Sequence, residues 1–248
     1  SQDVAALPVG QSAWSWVLQP QGKVDALVRA TRESGDVIVL DTDGGYGEAL
    51  LARLARFKLR VKADLEMLPW RCLAVRGPDA KQISRGVDAT WPGLPGVDVL
   101  AQDPPVPDGI AIVSHAAYEA VRIEAGVPAM GAELTERTIP AETGIIDRTV
   151  SFTKGCYTGQ ELVARIDSRG GHVPRHLRGV ALVDVVPIGA AIEVNGKVAG
   201  SLTSVRLRPG GAVGLAYIRR DVTLPADAAV RWEGGTTSGR VEVLPLVA

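Results

Sequence analysis

Short strand-like segments separated by tight turns fill the chain from about Leu177 onward, and this pattern constrains the fold most strongly. Asn195-Gly196 lies between two β-branched segments, an arrangement typical of a two-residue β-hairpin. Pro209-Gly210-Gly211 separates two further segments of this kind, and residues 240–246 form the last predicted strand. Several short strands at this spacing predict a small β-barrel or sandwich.

The part of the chain before this region has a mixed pattern. Strand-like runs lie at residues 13–18, 37–40, 61–65 and 72–75, and apolar residues at helical spacing lie at 49–57. Residues 77–109 are rich in proline and glycine and are predicted to be mostly irregular. A helix capped by Ser114 is predicted to end before Gly126. We therefore predict an α+β fold, with one domain over residues 1–170 and a C-terminal β-barrel domain over residues 171–248.

The composition excludes several classes of protein. The formal net charge is −1 and 46% of the residues are apolar, which argues against disorder and against a strongly basic surface. No apolar run approaches the roughly 20 residues that a membrane span needs, and the first residues do not resemble a secretory signal. The two cysteines, Cys72 and Cys156, are too few for a disulfide framework or for the usual ligands of an iron–sulfur cluster. We therefore predict a cytoplasmic protein with no membrane contact and no metal site.

The most informative segment is the octapeptide Lys154-Gly155-Cys156-Tyr157-Thr158-Gly159-Gln160-Glu161. Thr158 and Glu161 have the spacing of a capping box, so a helix is predicted to begin at Gly159. Cys156 then lies just before the positive end of a helix and close to a lysine, and both features favour a thiolate. The alternative is that Cys156 is a small buried apolar side chain beside a well-capped helix.

Three segments of the chain resemble motifs of a known family. The octapeptide resembles the signature K-G-C-F/Y-x-G-Q-E of the YgfZ family of iron–sulfur cluster maintenance proteins. Arg122-Ile123-Glu124-Ala125-Gly126-Val127-Pro128 resembles a segment R-I/L-E-x-G-x-P that this family shares with the glycine-cleavage T-protein. Residues 196–204 resemble the strand pair G-x-x-x-G-x-V/L-T-S of their C-terminal barrel. The octapeptide is highly specific, whereas the other two motifs are weak alone.

The resemblance implies an aminomethyltransferase-like domain that binds tetrahydrofolate or a derivative, followed by a β-barrel. Glu124 matches the acidic residue that hydrogen-bonds the pterin ring in the T-protein, and a carboxylate suits this role because it accepts two parallel bonds. The alternative is that Glu124 pairs with a basic neighbour. The other predicted folate contacts are Arg122, Lys154, Tyr157 and Gln160, with Arg165 and Arg169 toward the glutamate tail. Cys156 is predicted to supply a thiol near the folate or to a partner protein.

The match to the T-protein is incomplete in two places. The T-protein carries an acidic pair after a glycine-rich turn, whereas the matching residues 22–27 hold one acid, Asp25, at an earlier position. Ala26 and Leu27 cannot transfer protons, so aminomethyl transfer is not supported, and this loss is also typical of YgfZ. Ser1-Gln2-Asp3-Val4 resembles a T-N-D-V segment that follows several dozen residues in the family, so the first part of the folate domain is expected to be missing.

Two other signals are weaker. A basic stretch contains Arg165, Arg169, His172, Arg175, His176 and Arg178. This stretch suits the glutamate tail of a folate or RNA phosphates, although a solvated linker is the more common origin of such a run. Residues 43–47 are rich in glycine but lack the G-x-G-x-x-G spacing, so a turn is favoured over phosphate binding.

The leading hypothesis is a folate-binding protein that supports assembly or repair of iron–sulfur clusters in client enzymes, including tRNA-modifying enzymes. One alternative is a folate-dependent aminomethyltransferase or demethylase that uses a different acid. Another is an RNA-interaction module with a weak tRNA contact through the basic stretch. The sequence leaves open whether a reaction is catalysed, which folate is bound and which oligomer forms.

Overall fold

The computed structural model of the chain describes residues 1–246, which form a mixture of helices and antiparallel sheets. The α-helices of these residues are α1 (Gly47–Phe57), α2 (His115–Ala125), α3 (Ile146–Thr149) and α4 (Gln160–Ser168). The strands are β1 (Ser12–Leu18), β2 (Val24–Arg32), β3 (Ile38–Asp41), β4 (Arg71–Arg76), β5 (Val87–Asp88), β6 (Gly96–Ala101), β7 (Arg175–Leu182), β8 (Ala191–Val194), β9 (Lys197–Arg208), β10 (Gly211–Arg219), β11 (Ala226–Trp232) and β12 (Gly235–Glu242). None of the helices in this range is long and apolar enough to cross a membrane. The predicted α+β class is confirmed.

The described residues divide into two compact units. Unit 1 contains Ser1–Thr90, Leu94–Ile110 and Asp147–Gln160, and unit 2 contains Trp91–Gly93, Ala111–Ile146 and the residues from Glu161 onward. Helix α2 therefore groups with the barrel strands. A boundary between separately folding domains at residues 170–171 stays a prediction.

Unit 1 contains two three-stranded antiparallel sheets, with the strand orders β1-β2-β3 and β4-β6-β5. Strands β1 and β2 are joined by a turn in which the Gly22 N–H donates to the Gln19 carbonyl at 2.8 Å and Gly22 has a φ of 78°. Their inward side chains bury an apolar face that includes Trp16, Leu18, Val24, Val28 and Ala30. The β-branched and aromatic residues of these strands therefore form the core of unit 1.

Two stretches of unit 1 differ from the prediction. Residues 61–65 were expected to form a strand, but they lie in an unpaired segment where Val61 is 57% exposed. A strand needs a partner for its backbone groups, and no partner lies beside this segment in residues 1–246. Conversely, β6 forms within the stretch expected to be irregular and pairs along the whole of β4.

A buried ion-pair network ties the strands of unit 1 together. Arg29 on β2 is 1% exposed and donates to both carboxylate oxygens of Asp41 at 3.1 and 2.9 Å. Its Nη1 lies 2.9 Å from Asp98, which also pairs with Arg76 at 2.7 Å. The positive charge of Arg29 is thus paired with carboxylates on β3 and β6, as the burial of an arginine requires.

Unit 2 is built around a closed antiparallel barrel with the strand order β10-β7-β12-β11-β8-β9. Asn195 and Gly196 join β8 to β9 with φ angles of 53° and 72°, as a type I′ turn requires. The barrel interior is filled by apolar side chains that include Val180, Ile192, Leu202, Ala216, Val230 and Val241. The predicted hairpin and the predicted C-terminal barrel are both confirmed.

Helix α2 packs on the outer face of this barrel. Ser114 caps the helix by accepting a hydrogen bond from the Ala117 N–H at 3.2 Å, and Gly126 ends it in the left-handed conformation. Both ends agree with the prediction. Ile123 is completely buried and packs against Leu177, Val213, Leu215 and Tyr217 of the barrel. The second motif, at the end of α2, is therefore fixed by packing against the barrel strands.

Candidate functional site

The octapeptide forms the loop that leads into helix α4. The helix begins at Gln160, one residue later than predicted. The Oε1 of Gln160 accepts a hydrogen bond from the Tyr157 backbone N–H at 3.2 Å. The backbone N–H of Gln160 donates to the Tyr157 carbonyl, also at 3.2 Å. The side-chain bond at the helix start is therefore made by Gln160, whereas the sequence predicted Thr158 and Glu161. The reason for the shift is that Gly159 is left-handed, with a φ of 81°.

Gly159 lies against the turn between β1 and β2. A Cβ atom at this position would lie 2.6 Å from the Gln19 carbonyl oxygen and 2.9 Å from the Gly22 Cα. These contacts are with backbone, which cannot move aside cheaply. Only glycine therefore fits at position 159, where the loop meets this turn.

Replacing Gly159 with alanine is expected to lower the free energy of unfolding by about 2–4 kcal/mol, because left-handed backbone strain and a steric clash add. Gly155 in the same loop is the matched control, since a Cβ there meets no atom within 4 Å. Chemical unfolding followed by circular dichroism measures both variants. Equal stability of Gly159→Ala and Gly155→Ala would contradict this packing.

Lys154 and Tyr157, two predicted folate contacts, lie side by side in unit 1. The Lys154 Nζ donates to the Gln2 carbonyl at 3.1 Å and lies 5.6 Å from the centroid of the Tyr157 ring. Cys156 lies between them in sequence as a free, exposed cysteine. This exposure does not agree with the alternative of a buried apolar side chain, and it leaves the thiol accessible to a partner.

Arg122 on α2 is buried, and all of its N–H groups have acceptors within unit 2. Nε and Nη2 donate to the two Glu119 oxygens at 3.0 Å each, and Nη1 donates to Glu133 at 3.1 Å. The remaining bonds go to the Val127 carbonyl at 2.6 Å and to the Ser204 hydroxyl at 3.2 Å. Burial opposes the charged form, but the two carboxylates outweigh it and raise the pKa of Arg122 above its usual range. The guanidinium, which has five N–H donors, therefore has none left for a ligand.

Glu133 is the acceptor at the centre of this network, and the sequence interpretation did not single it out. Its side chain is fully buried and accepts from Arg122 and from the Ala129 N–H, each at 3.1 Å. Its other oxygen accepts from the hydroxyls of Thr203 at 2.7 Å and Ser204 at 2.6 Å. Thr203 and Ser204 belong to the third motif, so the second and third motifs meet at one buried carboxylate.

Glu124 points to a different partner. Its Oε1 accepts from Arg208 Nη1 at 2.9 Å, and the side chains of Glu124 and Arg208 are 21% and 32% exposed. The sequence alternative, in which Glu124 pairs with a basic neighbour, therefore describes a contact that the structure contains. The contact uses one of the two carboxylate oxygens.

The basic stretch is partly neutralised. Arg175 donates to both oxygens of the buried Glu142 at 3.1 and 3.2 Å and lies 4.4 Å from the centroid of the Tyr217 ring. Arg165 lies in the last turn of α4, and Arg169 follows this helix. Neither side chain forms an ion pair with any residue in the described part of the chain. Their predicted contacts with a folate tail stay predictions.

Asp25, the one acid in the segment that matches the T-protein acidic pair, is also paired. Its carboxylate lies 2.6 Å from the Nε of Arg53 on α1, and Arg53 also donates to the Leu18 carbonyl at 2.9 Å. The pair ties α1 to the first two strands of unit 1. It gives Asp25 a structural role.

Comparisons with known proteins place this geometry in context. No protein-family model matches the chain. An aminomethyltransferase from Rubrobacter xylanophilus is 26% identical over 257 residues, which cover 88% of this chain and 68% of the relative. The mouse mitochondrial iron–sulfur cluster assembly factor IBA57 is 29% identical over 250 residues, which cover 88% of this chain and 67% of the relative. The tRNA-modifying protein YgfZ of Yersinia pestis is 50% identical over 54 residues, which cover 21% of this chain and 16% of the relative.

A solved structure supports the same relationship at the level of the fold. The glycine cleavage system aminomethyltransferase T from Bartonella henselae matches with a TM-score of 0.80 at 20% sequence identity. The match covers 99% of this chain and 78% of that one. The predicted aminomethyltransferase-like fold is therefore confirmed. The predicted resemblance is therefore confirmed, since the chain is similar in sequence to an aminomethyltransferase, to IBA57 and, over a short stretch, to YgfZ.

Proposed function

We propose that the chain binds a reduced folate and supports the assembly or repair of iron–sulfur clusters in client enzymes. The observation that carries the proposal is the specific octapeptide, which the fold presents as an exposed loop with an accessible Cys156. The similarity to IBA57 and to YgfZ supports the link to iron–sulfur clusters. The aminomethyltransferase-like fold and Glu124 support the folate.

The chemistry of Glu124 fits a pterin ring. A carboxylate has two oxygens with about four lone-pair sites. Arg208 uses one of them at 2.9 Å, so the carboxylate still has capacity for the pterin amino group and the neighbouring ring N–H. Glu124 is also only partly buried, which leaves it accessible to a ligand. A bound folate would supply the pterin donors for this recognition.

Arg122 has a structural role in this proposal. Because its five donors are all engaged in unit 2, we propose that Arg122 holds α2 on the barrel and does not touch the folate. Lys154, Tyr157, Gln160, Arg165 and Arg169 remain proposed folate contacts. Their side chains are wholly or partly accessible.

The proposed thiol role of Cys156 is tested with a Cys156→Ser variant. In cells that lack the endogenous protein, this variant is expected to leave client iron–sulfur enzymes at the activity seen without any protein. Cys72→Ser is the matched control, because Cys72 is also free and exposed but lies on β4, outside the octapeptide. The measurement is client enzyme activity at equal protein levels. Full activity with Cys156→Ser would show that the thiol is not needed.

Aminomethyl transfer is less well supported as a function. Asp25 is held by Arg53, and Ala26 and Leu27 occupy the positions that follow it. Production of 5,10-methylenetetrahydrofolate from an aminomethyl donor would restore the enzyme alternative. The tRNA contact and the cytoplasmic location stay predictions.

A further inference from the structure

We propose that Arg208 is a positioning residue that orients Glu124 for recognition of the pterin ring. The inference rests on the proposed folate function and adds a residue that lies outside all three motifs. It follows from the single hydrogen bond between Arg208 Nη1 and Glu124 Oε1 at 2.9 Å.

Both ends of this pair are attached to fixed backbone. Arg208 is the last residue of β9 and pairs with Gly211 across the turn to β10. Glu124 lies in the last turn of α2, and its carbonyl accepts a hydrogen bond from the Leu246 N–H at 2.7 Å. Its neighbour Ile123 is completely buried against the barrel. The pair therefore holds the Glu124 side chain in one orientation relative to unit 2.

The geometry leaves Glu124 able to bind. Arg208 contacts one oxygen through one nitrogen, so Oε2 and a remaining lone pair of Oε1 can accept two parallel bonds from a pterin. A glutamate without this contact would sample several rotamers, and binding would have to immobilise it. Ordering a side chain of this type is expected to weaken binding about 3- to 10-fold.

The opposite effect is the physical alternative. If Arg208 instead competes with the pterin for the carboxylate, removing it would strengthen folate binding. The sign of the change in affinity therefore distinguishes positioning from competition.

Strand β9 supplies a matched control. Arg206 lies two residues before Arg208 and donates to the Val205 carbonyl at 2.8 Å. It has no carboxylate partner among residues 1–246. Arg206→Ala therefore removes an arginine from the same strand without changing the support of Glu124.

The experiment is an anaerobic calorimetric titration of the full chain with tetrahydrofolate. We expect Arg208→Ala to bind about 3- to 10-fold more weakly than wild type, with Arg206→Ala unchanged. Arg208→Lys should recover most of the affinity, because the observed contact needs one donor only. A folate analogue without the 2-amino group makes one bond fewer to Glu124. The Arg208→Ala substitution should therefore weaken binding of this analogue by a smaller factor than it weakens binding of tetrahydrofolate.

Several results would overturn the proposal. One is that Arg208→Ala binds tetrahydrofolate as tightly as wild type or more tightly. Another is that Arg206→Ala loses as much affinity for tetrahydrofolate as Arg208→Ala does. A third is that Arg208→Ala lowers the affinity for the analogue by the same factor as the affinity for tetrahydrofolate. Thermal unfolding by circular dichroism checks that each variant is folded, and Arg208→Gln serves if the alanine variant is not. If wild type itself does not bind tetrahydrofolate, the proposed function fails and this inference fails with it. Binding by wild type with no change in Arg208→Ala would overturn this inference alone.

Discussion

Replacing Glu133 with alanine is expected to lower the free energy of unfolding by about 3–5 kcal/mol, because it breaks a fully buried ion pair. The change removes the acceptor for Arg122, for the Ala129 N–H and for the hydroxyls of Thr203 and Ser204. Each buried donor left without a partner costs about 1–3 kcal/mol. Arg122 keeps Glu119, so the loss falls mainly on the contact between the second and third motifs.

Chemical unfolding followed by circular dichroism measures this effect. Glu233→Ala is the control, because Glu233 is exposed and forms no ion pair within the part of the chain that the structure describes. Its stability is expected to change by less than about 0.5 kcal/mol. Glu133→Gln keeps the shape of the side chain and one acceptor oxygen. Its loss in free energy of unfolding should therefore lie between the losses of Glu133→Ala and Glu233→Ala. A loss below about 1 kcal/mol for Glu133→Ala would contradict the buried network.

Replacing Glu124 with alanine is expected to weaken tetrahydrofolate binding at least about 100-fold. The expectation follows because the variant loses two hydrogen bonds to a charged acceptor, each contributing about 1.5–3 kcal/mol. Since Glu124 is only partly buried, stability should change far less than affinity. Calorimetric titration measures the affinity.

Glu193 provides a closely matched control for this variant. It also forms an ion pair in unit 2, with Arg231 at 2.7 Å, and its side chain is 23% exposed. Glu193→Ala should bind tetrahydrofolate as wild type does. A similar loss of affinity in both variants would show that Glu124 has no specific role.

The parts of the fold that the sequence predicts well are those decided by local chemistry. Asn195-Gly196 has the residues that a type I′ turn needs, and Ser114 and Gly126 have the chemistry of helix caps. Strand β6 was missed because its pairing with β4 is decided at long range, while the prolines and glycines around it indicate loops. The strand predicted at residues 61–65 does not form for the same reason. Alternating apolar and polar residues form a strand only where a partner strand lies beside them.

The site shows the same division. The octapeptide is recognisable from the sequence, but the shift of the helix start to Gln160 depends on the contact of Gly159 with the turn between β1 and β2. Glu133 follows Gly131 and Ala132 in a stretch with no periodic signal, and only its contacts with Thr203 and Ser204 reveal its role. Arg208 likewise lies outside every motif, and its link to Glu124 spans 84 positions of sequence.

Whether this chain binds a reduced folate is tested most directly by anaerobic calorimetric titration of the wild-type protein with tetrahydrofolate. We predict saturable binding with one site per chain. The absence of binding by folded protein, verified by circular dichroism in the same buffer, would contradict the proposed function.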